Sequence, residues 1–447
     1  MADALAAHAA KRDSLVEALR AARGGDAGPV ALAKETSNLF RDRAAGERRR
    51  LDVRGFNQVL AVTEDFVEAE GMTPYEELAR ECLAHGVMPA VVPQLKTITL
   101  GGAVAGVGIE SSSHRQGLVH DTMLELDVLL GDGRVVNCTP HNAHADLFFG
   151  FPNSYGTLGY ALRVKAKTIP VRPYVRLKHL AFSSADRYFA HLERCLRESA
   201  ADFVDGTIFA PERLFITLGH FSDSAPYTSD FTYERIYYRS IAENREDYLT
   251  THDYLWRWDT DWFWCSKNVL AQNALIRRLY GKKRLGSKTY TKIMRWNSRA
   301  GVTKKLERLL GLHSESVIQD VDIPISRAAE FFNFYSKEIQ LWPQWVCPIG
   351  HAGRNFSLYP IKHDWYVNFG FWDVKRTREG HPPGYFNRLI EEKVSELGGI
   401  KSLYSDSYFA EDDFQRRYGG ETYSALKRKY DPAGAFPRLY EKCVLKA

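Results

Sequence analysis

Apolar and polar residues alternate along YALRVKAKTIP, with Leu162, Val164 and Ala166 two apart, and a period of two predicts a half-buried strand. The same alternation recurs in GPVALA, in two short runs inside FNQVLAVTEDFVEAEG, and across LELDVLLGDGRVVNCT, where Gly131-Asp132-Gly133 marks a hairpin turn. Between these strands, MTPYEELARECLAHG opens on Thr73-Pro74, carries Glu76 and Glu77 in its first turn and closes on His85-Gly86, the start and stop signals of a helix. Asp146 to Gly150 predicts a short helical turn. Beyond Tyr174 the pattern becomes strands (FVDGTIFA, RLFITLGHF, QWVCPIG, FSLYPI, WYVNFGFW) and helical spans (ADRYFAHLERCLRESA, ISRAAEFFNFYSKEIQ). A sheet with helices on one side is the simplest packing for that order. MADALAAHAAKRDSLVEALRAARGG reads as an exposed amphipathic helix.

One stretch fits neither period. Pro93 to Gly117, PQLKTITLGGAVAGVGIESSSHRQG, holds five glycines (Gly101, Gly102, Gly106, Gly108, Gly117), each of which weakens helix and strand alike. It is expected to be irregular backbone suited to close approach by another group. It lacks G-x-x-x-x-G-K-[ST], which argues against a nucleotide-triphosphate loop. Gly106-Val107-Gly108 is followed by Ile109 and Glu110 without a helix-like run, which argues against a dinucleotide fingerprint. A nest of backbone N–H groups around a pyrophosphate and a purely structural turn both remain open on spacing alone.

At 447 residues the chain exceeds the roughly 250–300 at which single cores stop growing, so two units are expected. The pattern divides it into an N-terminal helix (1–30), an α+β unit (31–175) and a second unit (176–447). Apolar residues at 45% and charged residues at 26% exclude a disordered chain, and a net charge of +5 gives no reason to invoke nucleic acid. The six cysteines are scattered without a C-x-x-C pair, so no metal site and no disulfide framework are expected, and a reducing, cytoplasmic compartment fits. No signal peptide is read at the N-terminus, and no run approaches the roughly 20 apolar residues of a membrane span.

Thr99-Leu100-Gly101-Gly102, Gly106 to His114 (GVGIESSSH) and Gly117-Leu118 resemble the flavin-binding segment of FAD-linked oxidoreductases related to vanillyl-alcohol oxidase, and Gly-Ile-Glu-Ser-Ser-Ser-His is similar to the delta24-sterol reductase branch. Asp132-Gly133, Thr139-Pro140, Asp146-Leu147-Phe148, Gly156-Thr157-Leu158-Gly159, Trp345 to Pro348, Ala435-Phe436-Pro437 and Tyr440-Glu441-Lys442 fall in the same order as in that branch. The resemblance implies an α+β, two-domain flavoprotein, with a PCMH-type FAD-binding domain, an α/β cap or substrate domain, and a last segment (about 425–447) returning to the FAD domain. It implies FAD held by Thr99, Gly101, Gly102, Gly106, Gly108, Ile109, Glu110, Ser111, Ser112, His114 and Gly117, with Gly156, Thr157, Leu158 and Gly159 close by. Many relatives have a glycine-rich first phosphate loop with a flavin-linked histidine. Here that position reads Lys34-Glu35-Thr36-Ser37-Asn38-Leu39-Phe40, so noncovalent FAD is expected, with Thr36, Ser37 and Asn38 donating to phosphates.

The implied chemistry is hydride transfer between flavin N5 and a C=C or CH–CH bond of a hydrophobic lipid, with NADPH or another carrier as electron partner. Glu110 and His114 are candidates to tune the flavin or move the proton, against a favoured structural reading as members of a buried network. Tyr359 and His363 are weaker catalytic candidates beside Asp364, against a solvent-facing turn. Tyr254 to Arg308 combines many aromatics with a dense basic run. Peripheral docking on an anionic membrane is the functional reading of 254–308, against a core of aromatics under a solvated basic face. No counterpart of the animal reductases' membrane anchor is read, which ranks a methylated or methylene-bearing acyl chain of membrane phospholipid, reduced or desaturated, ahead of a sterol side chain. An alditol or alcohol oxidase and a flavin-free lipid-binding protein are the other classes.

Overall fold

The computed structural model describes residues 2–22, 30–34, 40–41, 49–300, 307 and 311–446. Helix α1 (Ala2–Ala22) leads into β1 (Val30–Ala33), which pairs in parallel with β2 (Arg49–Asp52). The helix is docked rather than free: Leu15 and Leu19 share a buried cluster with Val30, Leu51, Tyr160 and Phe436, and His8 and Lys11 reach Glu70. The expected exposed helix is thereby corrected, since its apolar stripe found a partner.

The first large sheet contains β3 (Val59–Val62), β4 (Phe66–Glu70), β5 (Val87–Pro89), β6 (Met123–Leu129), β7 (Val135–Cys138) and β8 (Tyr160–Pro170). Among the described residues its order is β3-β4-β8-β6-β7, and β5 pairs with the end of β8. The strand with the clearest alternation in sequence, β8, is the central one, with Leu162, Val164 and Ala166 buried. Helix α2 (Tyr75–Ala84) buries Tyr75, Leu78, Ala79 and Cys82, and Gly86, at φ 73°, turns the chain into β5.

Val171-Arg172-Pro173 ends β8, and the chain passes to a second sheet made of β9 (Tyr174–Phe182), β10 (Phe203–Ala210), β11 (Arg213–Ser222), β12 (Glu246–Thr250), β13 (His313–Pro324), β14 (Gln344–Gly350), β15 (Trp365–Thr377) and β16 (Ile400–Lys401). Its antiparallel order, among the described residues, is β12-β9-β11-β10-β14-β15-β13-β16. Helices Ala185–Glu198, Ala328–Glu338 and Tyr385–Glu396 bury Tyr188, Leu192, Phe331, Tyr335 and Ile390 on one face. The opposite face, with Phe203, Trp345, Cys347 and Ile349, joins the core of the first sheet. This is a mixed α+β architecture of two sheet-based units. FSLYPI, expected as a strand, is instead a turn (Phe356 to Pro360), and β12 and β13 went unread in sequence.

The last helices return to the first unit. Lys427 Nζ donates to Thr157 O at 2.8 Å and to Phe436 O at 2.8 Å, Lys442 Nζ donates to Tyr155 O at 2.7 Å, and Val30 N donates to Ala435 O at 3.0 Å.

Candidate active site

The glycine-rich segment contains two short helices, α3 (Leu100–Ala105) and α4 (Ser113–Gln116), contrary to the expectation of irregular backbone throughout. Thr99 Oγ1 caps α3 by accepting from Gly102 N at 3.3 Å. The glycines survive in a helix because the helix lies directly on backbone. Gly101 N donates to Gly71 O at 2.9 Å, and a Cβ on Gly101 would stand 2.7 Å from that oxygen. Val119 and Pro93 fill the space beside Gly108, and Asp121 fills the space beside Gly117, whose φ is 71°. At Gly101, Gly108 and Gly117 the close approach expected for a cofactor is taken up by protein. The open side of the segment is exposed Gly102 with half-exposed Ala105, Val107 and Ile109.

Beside that open side lies a strained loop. Asn153 and Tyr155 hold φ of 62° and 51°, which non-glycine residues rarely adopt, next to Gly156 at 76° and close to Gly159 at 147°. Asn153 N and Tyr155 N donate to Gly106 O (3.2 Å) and Ala105 O (2.8 Å), joining the loop to the end of α3. Thr157 and Leu158 are buried, and Thr157 Oγ1 donates to Ser154 O at 2.8 Å. Arg41 is buried, with its guanidinium 4.9 Å from the Tyr155 ring centre and Nη1 donating to Leu403 O at 2.6 Å. Thr36, Ser37 and Asn38 lie outside the described residues.

The polar groups here are unusually unsatisfied. Arg41 Nη2, both amide atoms of Gln94, Asn153 Oδ1, Ser154 Oγ and Tyr155 OH are buried with no hydrogen-bond partner among the described residues. Leaving one such group unpaired costs about 1–3 kcal/mol, so a cluster of them marks a missing partner. A cationic donor, amide donors and acceptors, and an apolar rim at Val107 and Ile109 fit a phosphate-bearing heteroaromatic cofactor. Arg41 would face its anionic part, and the α3 end with the Asn153–Gly159 loop would hold the remainder.

Glu110 and His114 point away from that opening, into protein. Glu110 Oε1 accepts from Ser111 Oγ at 2.6 Å and from Arg257 Nη2 at 2.9 Å, and the same Nη2 donates to Asp205 Oδ2 at 2.8 Å. Burial raises the Glu110 pKa, with Arg257 opposing and Asp205 reinforcing the shift. His114 Nδ1 sits 2.9 Å from Ser111 O and Nε2 3.2 Å from Ala201 O. Burial lowers its pKa to about 4, so the ring is neutral at pH 7 and its single N–H serves one carbonyl. Both residues tie the segment to the second sheet, where Val204 N also donates to Ser111 O at 2.8 Å. Ser112 Oγ donates to Ala90 O at 2.8 Å.

The catalytic candidates from the turn separate. His363 is exposed against Tyr366, a surface position that corrects its expected approach to the site. Tyr359 is buried and donates to Asp322 Oδ2 at 2.7 Å. Asp322 Oδ1 accepts from Asn368 Nδ2 at 2.7 Å, and Asp320, two residues earlier on β13 and therefore on the same face, has Asn368 and Tyr404 as polar neighbours. Burial raises Asp322 to about 6. Burial, reinforced by Asp322, raises Asp320 to about 7. Asp320 keeps part of its surface, yet its Oδ1 is shielded and has no hydrogen-bond partner among the described residues. Its charge is felt at both Tyr404 and Tyr155, so Asp320 faces the side of the sheet on which the strained loop lies. IQDVDIP carried a signal for it: two acids at i and i+2 among apolar residues place two carboxyls on one strand face.

Fold and site thus define a two-unit flavoprotein. The FAD binding domain family matches residues 4–139. The chain is similar to Delta(24)-sterol reductase of Mus musculus, 28% identical over 369 residues (79% of this chain, 69% of that protein). To Delta(24)-sterol reductase of Homo sapiens it is 27% identical over 366 residues, again 79% and 69% of the two chains. Cytokinin dehydrogenase 7 of Oryza sativa subsp. japonica matches 180 residues at 29% identity, 39% of this chain and 33% of that protein. The protein is an FAD-dependent oxidoreductase with a PCMH-type flavin domain, and its two-unit α+β fold is consistent with the vanillyl-alcohol-oxidase type. Within that type its sequence is delta24-sterol reductase-like. The flavin-free reading is set aside by the domain match.

Proposed function

We propose that this chain reduces an isolated C=C bond in the aliphatic part of a lipid, with a delta24-sterol side chain as the reference substrate and FAD held noncovalently. The similarity to proteins named Delta(24)-sterol reductase across 79% of the chain carries this reading and moves the sterol ahead of the acyl chain that sequence had ranked first. When bound and reduced by a donor of the reduced-nicotinamide class, the flavin supplies the hydride for one alkene carbon. The other carbon needs a proton, and Asp320, held near neutrality beside Asp322, Asn368 and Tyr404, supplies it from its carboxyl oxygen. Tyr359 holds Asp322 in place. That donor restores the two electrons each turnover. The apolar surroundings, Phe40 against Trp262 and Trp372 against Phe263, suit a hydrocarbon substrate and exclude water.

The test is anaerobic turnover of FAD-loaded protein with NADPH. A delta24-sterol, a phospholipid bearing a methylene-branched acyl chain and an alditol are offered in parallel, with products read by mass spectrometry. A saturated sterol side chain is expected. Reduction of the acyl lipid alone would replace the sterol with an acyl substrate, and flavin reduction by the alditol without NADPH would make the protein an oxidase. Acid precipitation of the same preparation is expected to leave all flavin in the supernatant; yellow pellets would overturn noncovalent binding.

A further inference from the structure

The aromatic and basic span behaves differently from the expectation that its aromatics meet a membrane. Tyr254, Trp256, Trp258, Trp262, Trp264 and Tyr290 are all buried. Phe263 and Trp264 pack against Trp372 of β15 at 4.3 and 5.5 Å between ring centres. A separate set stays in solvent: Leu270, Leu275, Leu279 and Trp296 are 64%, 72%, 81% and 63% exposed. Among the described residues five large apolar side chains are 60% exposed or more, and four of them fall between Leu270 and Trp296.

Local structure fixes which side faces outward. Asn273 caps the helix Ala274–Tyr280 by accepting from Leu275 N and Ile276 N. The buried Arg277 clamps its inner side to Asp261 through bonds of 2.7 and 2.9 Å. Leu275 and Leu279, four apart, stand together on the outer side. On the helix Ser287–Ala300, Tyr290 points inward and donates to Thr260 O at 3.0 Å, while exposed Lys288, Lys292 and Trp296 recur every fourth residue. Between Asp261 and Glu307 the sequence has no carboxylate and twelve Lys or Arg. Lys282 and Lys288 meet exposed carboxylates of other segments, Asp230 and Glu76, whereas Lys283, Arg284 and Lys292 meet none among the described residues.

We infer that this face docks on an anionic lipid bilayer. Leucines and a tryptophan that project among unneutralised cations match the interfacial side of a membrane-bound amphipathic element, with the apolar tips entering the acyl boundary and the cations held by headgroups. A single-stranded nucleic acid would use the cations but would leave the leucines without a role. The face also lies one layer from the active site: Cys265 Sγ is 3.8 Å from Trp372 O, and Trp372 Nε1 donates to Tyr404 OH at 2.8 Å, beside Asp320. Delivery of a membrane-dissolved substrate along this route rests on the proposed function, while docking itself does not.

The experiment uses FAD-loaded full-length protein in flotation with vesicles of phosphatidylcholine alone and of equimolar phosphatidylcholine and phosphatidylglycerol. The variants are Leu275→Ser/Leu279→Ser and Lys283→Glu/Arg284→Glu, with flavin absorbance and melting as checks of folding. Wild type is expected to float with the anionic vesicles only, and each variant to lose about tenfold or more of that binding, since each basic residue near the surface is worth about 1 kcal/mol. Equal flotation of wild type and both variants, or no flotation of wild type, overturns the inference. So does loss of a dimer in the leucine variant, or loss of DNA binding in the charge variant, without any vesicle binding by wild type. Turnover on a detergent-dispersed delta24-sterol separates the two proposals: docking without sterol turnover overturns the proposed function alone, and sterol turnover without docking overturns this inference alone.

Discussion

Asp320 changes most between sequence and structure. As a letter in IQDVDIP it is one acid among many; in the fold it is a carboxyl held at about 7 by burial and by Asp322. The sign of the shift matters twice. Because the folded pKa lies above the ordinary 3.8, the protonated form is favoured by folding, and the stability this gives is full below the ordinary value and lost as pH rises through about 7. On the proposed mechanism the same titration removes the proton delivered to the alkene carbon. Turnover is therefore expected to fall above about pH 7. Asp320→Asn is expected to lower kcat by about 10²–10⁴ and to flatten that alkaline limb, measured as a pH–rate profile with saturating FAD. A variant profile with the wild-type limb would assign the proton to another group. Glu110 and His114 show the limit of residue-level reading: their identity in the motif was visible, but their partners Arg257, Asp205 and Ala201 are remote in sequence. A buried triad such as Glu110–Arg257–Asp205 is known only once the fold has brought it together.

The elements show why some of the fold could be read and some could not. The helix from Tyr75 was legible because its start and stop signals agreed, and QWVCPIG and FVDGTIFA were legible as short runs that the sheet buries on both faces. Strand β13 was missed because polar Gln319 interrupts its buried face while Asp320 and Asp322 mark the other, so neither face reads as apolar. Helix α3 was missed because glycine is penalised in helices on average, whereas here its lack of a side chain permits contact between helix and sheet backbones. That contact has a consequence. A Cβ on Gly71 would collide with the carbonyl oxygen of Ala161, and Gly101 packs on Gly71 from the other side. Gly71→Ala is expected to destabilise the protein by about 1–3 kcal/mol, seen as a lowered denaturation midpoint, and to weaken FAD retention because α3 shifts with the strand. An unchanged midpoint would show that the sheet can yield there.

For the whole molecule, two units were legible from length and from the change of pattern near Tyr174. Their mutual packing was not, since it depends on contacts such as Ser111 with Val204 and Phe40 with Trp262. Among the described residues no helix is long and apolar enough to cross a membrane. The basic span was visible in sequence, but which of its apolar residues face outward could be decided only by the helices that carry them.

The strained loop at Asn153 to Gly159 is held by lysines from the far end of the chain, Lys427 and Lys442, which hydrogen-bond the carbonyls of Thr157 and Tyr155. During synthesis, most of the flavin-side sheet emerges hundreds of residues before those lysines do. On the proposed placement of the cofactor, loading then waits for the segment carrying Lys427 and Lys442 to close behind the loop. A chain ended before Ala425 is expected to purify colourless even with excess FAD during refolding, whereas the full chain takes up flavin; a yellow truncated protein would show that the loop sets itself.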